Sequence, residues 1–554
     1  MAEPYGVFAL VLHSHLPYVL SHDRLEEEWL WEAVVESYLP LLQVFERLTL
    51  RGISPKVTVG LTPVLLEQLA DPRFAPRFLA YIEQKVEAAR EDRRTFQEDK
   101  QSHLAHLAQL AGLWEEWYRR AALFFRRDLR SDVIGAWRRL HRKGHVEIIA
   151  SAATHAYLPL LGFEADVEAQ VALGVSCYQR HFRGRPHGFW LPECAYRPAS
   201  PWTPLLDGVE GLVATDRQAV DCLLAANGIR YFLADARQLR NSPPGYGRHS
   251  PCSPYWVDGG GPDSTASVAV FGRDFETTAR IWQHDSGYPG DPAYLEFHKK
   301  QGESGLRYWR ITDRHVDLAY KQPYQPEWAF AQVPAHATHF VQVLRERLRQ
   351  HWQQTGEPGV VVAAFDTELF GHWWFEGPQW VSEVLQQISA SGDIALATCA
   401  EYLDLHPPRR TVHLRESSWG DGGDHRVWWQ EGTRELWRQV YQAESEMQRL
   451  GACLDGKEPD ETLTRILRQC SRELLLLQAS DWPFMIGTDS TPDHARQRVA
   501  RHFANFQHCR LMAERYLMDE AIPEQEWRLL AEEEQQDALF PALDPRVFWE
   551  KRTA

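Results

Sequence analysis

"GVVVAAFDTELFGHWWFEG", residues 359–377, carries an unbroken apolar run directly into Asp366, Glu368, His372, Trp373, Trp374 and Glu376. Apolar residues without polar alternation predict a strand covered on both faces, as in a parallel sheet. The residues beyond the run make opposing demands on solvent, since tryptophans are costly to expose and carboxylates costly to bury. A cleft at the C-terminal end of the strand resolves the conflict, with an aromatic wall and a wet rim. Trp373 and Trp374 are adjacent, so one faces that cleft and the other packs into the wall.

The same pattern recurs along the chain. Apolar runs end before polar residues in "YGVFALVL" (5–12) before His13, "KVTVGL" (56–61) before Thr62, "HVEIIAS" (145–151) before Thr154 and His155, and "HGFWL" (187–191) before Glu193. "GLVAT" (211–215) before Asp216, "IRYFLA" (229–234) before Asp235 and "SVAVFG" (267–272) before Arg273 continue it. Buried strands separated by helix-length segments, with polar residues gathered at the strand ends, predict an α/β barrel whose site lies on the C-terminal face. Residues 76–140 are charged, amphipathic and almost free of Gly and Pro, which predicts a helical insertion. "NSPPGYGRHSPCSPYW" (241–256) reads as a long loop of the lid or binding kind. Beyond residue 410 the pattern turns helical again, in "RELWRQVYQAESEMQRL", "ETLTRILRQCSRELLLLQAS" and "TPDHARQRVARHFANFQHCRLMAERYL". The predicted division is a catalytic barrel over 1–75 and 141–410, the insertion at 76–140, and a C-terminal helical domain over 411–554.

The 554 residues carry a formal net charge of −16, which disfavours a polyanion such as nucleic acid as partner. Twenty-two tryptophans are an excess that suits glycan recognition, because pyranose faces stack on aromatic rings. Eight cysteines without a CxxC pair read as reduced thiols of a cytoplasmic protein. The apolar run Val7 to Leu12 is too short for a signal peptide, and no stretch approaches a transmembrane helix, so no membrane association is expected.

Two strand-end carboxyls stand in aromatic frames: Glu193 in "GFWLPECAYRP", between Trp190 and Tyr196, and Asp366 ahead of the two tryptophans. Cleaving a glycosidic bond needs such a pair, one group to protonate the leaving oxygen and one to attack C1 or activate water. Cys194, beside Glu193, reads as a small buried side chain.

With these segments in hand, the chain resembles family 57 of the glycoside hydrolases. "HSHLPY" (13–18), "GHVEIIAS" (144–151), "FWLPECAY" (189–196) and "FDTELFGHWW" (365–374) look like its successive motifs. "VFGRDFETTARIWQHDSGYPGD" (270–291), "SSWGDGGDHRVWW" (417–429) and "QASDWPF" (478–484) are similar to segments of its α-glucan branching enzymes. The resemblance implies a distorted (β/α)7 barrel, the helical insertion, a C-terminal helical domain closing over the cleft, and a retaining mechanism without metal or cofactor. By it Glu193 matches the nucleophile and Asp366 the general acid/base. His13, His155, Arg273, Trp282 and Asp481 match donor-subsite positions, Trp419 and Trp428 match aromatic platforms, and Tyr246 looks like the lid tyrosine. His15 and Trp373 are expected to touch substrate as well. The implied partner is an α-1,4-glucan such as amylose or glycogen, acted on by a monomer that forms α-1,6 branches.

Read from the residues alone, Arg273 is either the charge that keeps one carboxyl ionised or half of a structural ion pair. Other readings remain open from sequence: an α-amylase or 4-α-glucanotransferase using the same pair, and a zinc-dependent deacetylase or α-mannosidase-like barrel using His13, His15, His155 and Asp366. A silent glycogen-binding protein would not need both carboxyls.

Overall fold

The computed structural model describes residues 4–549 apart from 21, 99–103, 243–248, 260–267, 284–285, 303 and 455–457. Seven parallel strands form its centre: β1 (Gly6–Ser14), β2 (Val57–Leu61), β3 (Val146–Ser151), β4 (Gly188–Trp190), β5 (Tyr231–Asp235), β6 (Ala269–Arg273) and β7 (Gly359–Asp366). Each strand pairs with the next, and β7 returns to β1 in a register running from Gly359 beside Gly6 to Asp366 beside His13. Unbroken apolar runs suit this ring because both faces of every strand are covered. Val7, Ala9, Val11, Leu233, Phe271, Val360, Val362 and Ala364 fill the barrel, while Phe8, Leu10, Leu12, Val361, Ala363 and Phe365 pack with the outer layer.

The barrel is distorted at one seam. Among the described residues β6 pairs with β7 at one position, Arg273 beside Val362. Below that point the short strand Tyr255–Val257 pairs antiparallel with β6, and the Val360 N–H donates to the Cys252 carbonyl at 2.9 Å, so residues 252–257 fill the gap.

One expected strand is absent from the ring. In place of a barrel strand at 211–215, Thr215–Arg217 pairs antiparallel with Ser200–Trp202 in a small hairpin. Gly211 is left-handed (φ 74°) and Val213 is exposed, so the run lacks the cover on both faces that a barrel strand has.

Helices Phe74–Glu98 and Leu104–Leu123 pack on each other as the charged insertion predicts, and Val133–Arg142 leads into β3. After the barrel come Arg434–Cys453, Glu461–Leu477, Asp481–Gly487, Pro492–Leu517 and Glu524–Gln536. Their junction with the barrel is made by backbone as well as side chains: Ala479 bridges to Ala156, Ser417 to Tyr196, and the Ser480 N–H donates to the His155 carbonyl at 3.1 Å. All eight cysteines are free thiols. Among the described residues no helix is long and apolar enough to cross a membrane.

Candidate active site

Glu193 leaves β4 through Pro192 and takes a left-handed backbone conformation (φ 60°), followed by Cys194 (φ 48°). Two consecutive non-glycine residues there store strain of the kind that functional sites hold. The turn is held by the Cys194 N–H to the Leu191 carbonyl (2.9 Å) and the Ala195 N–H to the Pro192 carbonyl (3.0 Å). The carboxylate so presented has a donor on each oxygen: Trp419 Nε1 to Oε2 at 2.7 Å and Ser480 Oγ to Oε1 at 3.1 Å. Trp190, closing β4, stacks on His13 (4.3 Å between centroids) and meets the edge of Trp419 at 5.2 Å.

Asp366 stands next to His13 across the β1–β7 pair, and its carboxyl has no hydrogen-bond partner among the described residues. His13 and His155 face each other through their Nε2 atoms at 3.1 Å, and His155 Nδ1 lies 2.9 Å from Ser480 Oγ. His15 is held by Thr62 at Nδ1 and Asp481 at Nε2, both at 3.1 Å. Both nitrogens of His15 and of His155 are therefore engaged by protein groups, an arrangement that suits hydrogen-bonding rings better than the zinc ligands of the rival reading. Arg273 pairs with Asp235 at 2.6 Å, their strands placing them side by side, and its guanidinium lies 5.3 Å from the Trp419 ring.

Burial pushes the Glu193 carboxyl up to about 7, and the Asp366 and Asp481 charges push the same way against the Trp419 and Ser480 hydrogen bonds. Asp366 is pushed up to about 6 by burial, with His15 and Arg273 pulling it back down. On those values alone the proton would rest on Glu193, whereas its two donors favour the carboxylate. The two carboxyls repel each other and titrate as a pair, so between the two values the pair carries one proton. His13 and His155 are held neutral by burial and by neighbouring imidazoles. Burial also pulls His15 down, but Asp481, Glu193 and Glu368 outweigh it and raise the ring. Burial raises the Cys194 thiol, which fits an inert side chain.

The structure thus brings Glu193, Asp366, His13, His15, His155, Arg273, Trp419 and Asp481 into one site. Trp373 (41 % exposed) and Trp282 (39 % exposed) meet edge to face at 6.1 Å, an open aromatic corner, whereas Trp374 is buried against Tyr294 and Trp380. Trp428 corrects the expectation of a platform: it is 1 % exposed, stacked on Tyr157 at 4.5 Å, and so offers no free ring face. Glu368 and Glu376 correct another, for neither lines a wet rim. Glu368 accepts from Tyr38, and Glu376 accepts from the Tyr324 hydroxyl (2.6 Å) and the Leu295 N–H (3.2 Å), all in the core. Tyr246 lies outside the described residues. Sequence reasoning placed Thr62 and Asp235 at strand ends without giving them a role and missed Ser480, which stood in "QASDWPF" beside Asp481; nothing in the string marks a serine that reaches back to a barrel carboxylate.

A parallel barrel with two raised carboxyls at its C-terminal mouth, framed by tryptophans and imidazoles, is the site of a carbohydrate-active enzyme. Comparison with known proteins makes the class specific. Residues 9–415 match the glycosyl hydrolase family 57, and residues 439–548 match the C-terminal region of 1,4-α-glucan branching enzymes. The chain belongs to glycosyl hydrolase family 57. It is 39 % identical over 547 residues to the 1,4-α-glucan branching enzyme TK1436 of Thermococcus kodakarensis, covering 97 % of this chain and 77 % of that one. The crystal structure of the family's branching enzyme from Pyrococcus horikoshii superposes with a TM-score of 0.90 at 36 % identity, over 99 % of this chain and 98 % of the other. The α-amylase AmyC of Thermotoga maritima superposes with a TM-score of 0.82 at 28 % identity, over 99 % of both chains.

Proposed function

We propose that the chain is a 1,4-α-glucan branching enzyme, cleaving α-1,4 links of a glucan such as amylose or glycogen and rejoining the released segment as an α-1,6 branch. The observation that carries the reading is 39 % identity along 97 % of the chain to a relative named for that activity. The C-terminal match over 439–548, to a region named for branching enzymes, supports it against the amylase reading.

The residues suit a double displacement. Glu193, as carboxylate, attacks the anomeric carbon while Asp366 donates its proton to the departing glycosidic oxygen, giving a covalent glycosyl-enzyme. Trp419 and Ser480 orient the nucleophile, and the absence of a protein partner on Asp366 among the described residues leaves its carboxyl free for the substrate oxygen. His13, His15 and His155, their nitrogens largely taken up by one another and by Thr62, Asp481 and Ser480, form the polar wall beside the two carboxyls, by family resemblance the wall of the donor subsite, and Arg273, over Trp419, acts on Asp366 as a fixed positive charge. Asp366 then takes the proton of an acceptor 6-hydroxyl, and the chain leaves Glu193. The exposed corner of Trp282 and Trp373 suits the stacking of a glucan chain. Tyr246 retains, by family resemblance, the lid role. Glycogen as product and action as a cytoplasmic monomer complete the reading, the eight free thiols supporting a reducing compartment.

Incubation with amylose tests it: α-1,6 linkages should accumulate without a matching rise in reducing ends. Reducing ends alone would make the chain an amylase, which its likeness to AmyC keeps as the second reading.

A further inference from the structure

Ser480 is contributed by the C-terminal region, yet its hydroxyl sits between two barrel groups, His155 Nδ1 at 2.9 Å and Glu193 Oε1 at 3.1 Å. Several contacts fix it there. Its N–H is bonded to the His155 carbonyl, the flanking Ala479 bridges to Ala156, and Gln478 is bonded to Gln170 (2.9 Å) and Asp166 (2.8 Å) of the helix that follows β3. His155 itself has a left-handed backbone (φ 57°), which turns its ring toward the serine and His13. The result is a continuous chain of four side chains: His13, His155, Ser480, Glu193.

A serine has one proton and a neutral imidazole has one N–H, so every link must point the same way. Only two arrangements exist. In the first, His13 Nε2–H donates to His155 Nε2, His155 Nδ1–H donates to Ser480 Oγ, and the Ser480 hydroxyl donates to an ionised Glu193. In the second, all three bonds reverse, and Glu193 must be protonated to donate to Ser480. The far end of the chain discriminates between them. His13 Nδ1 is buried without a partner among the described residues. The first arrangement leaves a bare lone pair there; the second forces an N–H donor into the same place, and an unpaired buried donor is the rarer and more costly defect.

We propose that Ser480 is a positioning residue that holds Glu193 in the ionised, nucleophilic form by completing a one-way hydrogen-bond chain from His13. The inference rests on the reading of Glu193 as nucleophile. It resolves which of the paired carboxyls carries the shared proton: the chain places the negative charge on Glu193 and so the proton on Asp366. It also makes the nucleophile's charge depend on the C-terminal region being seated on the barrel. Among the described residues the other charged or titratable groups around Glu193 are the adjacent Cys194, Asp366 at the end of β7, Asp481 on the helix Asp481–Gly487, His15 after β1, and His155 and Tyr157 after β3. None of them hydrogen-bonds Oε1: His155 Nδ1, the nearest nitrogen among them, lies 3.9 Å away.

The test is the pH profile of kcat/KM on amylose for Ser480→Ala and Ser480→Thr. Losing a hydrogen bond to a charged group should move the acidic limb of the Ala variant up by about one pH unit and lower the maximum about tenfold. Ser480→Thr, which keeps the hydroxyl, should restore the wild-type limb. An acidic limb that stays in place in Ser480→Ala, whatever the loss of rate, overturns the proposal, since a structural role would lower the rate without moving the limb. Should Ser480→Ala fail to fold, Ser480→Cys must show the same upward shift in smaller measure, a thiol being a weaker donor, and an unmoved limb there overturns it equally. Glu193→Gln run alongside separates the two levels: turnover near wild type in that variant would overturn the nucleophile assignment itself, while an inactive Glu193→Gln with an unmoved Ser480→Ala limb removes only the chain.

Discussion

At the residue scale, catalysis by this pair requires one proton on two carboxyls, and that requirement sets a pH dependence. Asp366 is raised to about 6 and Glu193 to about 7, both first by burial. Below the lower value both groups are protonated and Glu193 loses its nucleophilic charge; above the higher value both are ionised and no acid remains. The kcat/KM of the free enzyme is therefore expected to rise to a maximum between about pH 6 and 7 and fall on either side, measured as initial branching rate on amylose. A plateau extending down to about pH 4, the range of an unperturbed carboxyl, would mean that the pair is not raised. That Glu193 and Asp366 stand at strand ends facing one cleft was legible in the sequence, because each follows a buried strand and sits among aromatic residues. The charges on Glu368 and Glu376 misled for the same reason. A string shows a carboxylate near tryptophans but not the tyrosine that arrives from elsewhere, and here Tyr38 and Tyr324 turn both acids into core hydrogen-bond acceptors.

At the scale of elements, the chain from the last residue of β7 has to deliver Asp366 to the cleft, Glu368 to the core and Trp373 back to the surface within eight residues. Gly371 makes that reversal. Its φ of 117° is open to glycine alone, and a Cβ there would lie 1.8 Å from the Glu36 carbonyl oxygen. Gly371→Ala is expected to cost about 2–4 kcal/mol, visible as a lower midpoint of thermal unfolding, and to weaken glucan binding by displacing Trp373. An unchanged melting curve would show that the loop accommodates the methyl group. The barrel strands were readable because burial on both faces removes polar alternation, a signal that survives in one dimension. "GLVAT" carried the same signal, yet it runs exposed into a hairpin that begins at Thr215 and is set by pairing with Ser200–Trp202, which the string does not show. Trp428 shows the limit from the other side: a tryptophan in a glycine-rich segment reads alike whether its face is open or, as here, covered by Tyr157.

At the scale of the whole molecule, the barrel supplies Glu193 and Asp366, and the chain beyond it supplies Trp419 and Ser480 to hold Glu193 and Asp481 to hold His15. Long-range partnerships of this kind, with Ser480 287 residues from Glu193, are what sequence periodicity does not record; the helical C-terminal region was legible as helices, its grip on the nucleophile was not. The central claim is that in this assembly Glu193 carries the glycosyl group between cleavage and branching. The direct measurement is mass spectrometry of the intact protein and its peptides after incubation with a 5-fluoro-α-glucosyl fluoride, whose sluggish second step lets a covalent intermediate accumulate. The account predicts one sugar per chain, on the peptide that contains Glu193, and its loss in Glu193→Gln. A label on any other residue, or a protein that turns amylose over yet never becomes labelled, would contradict it.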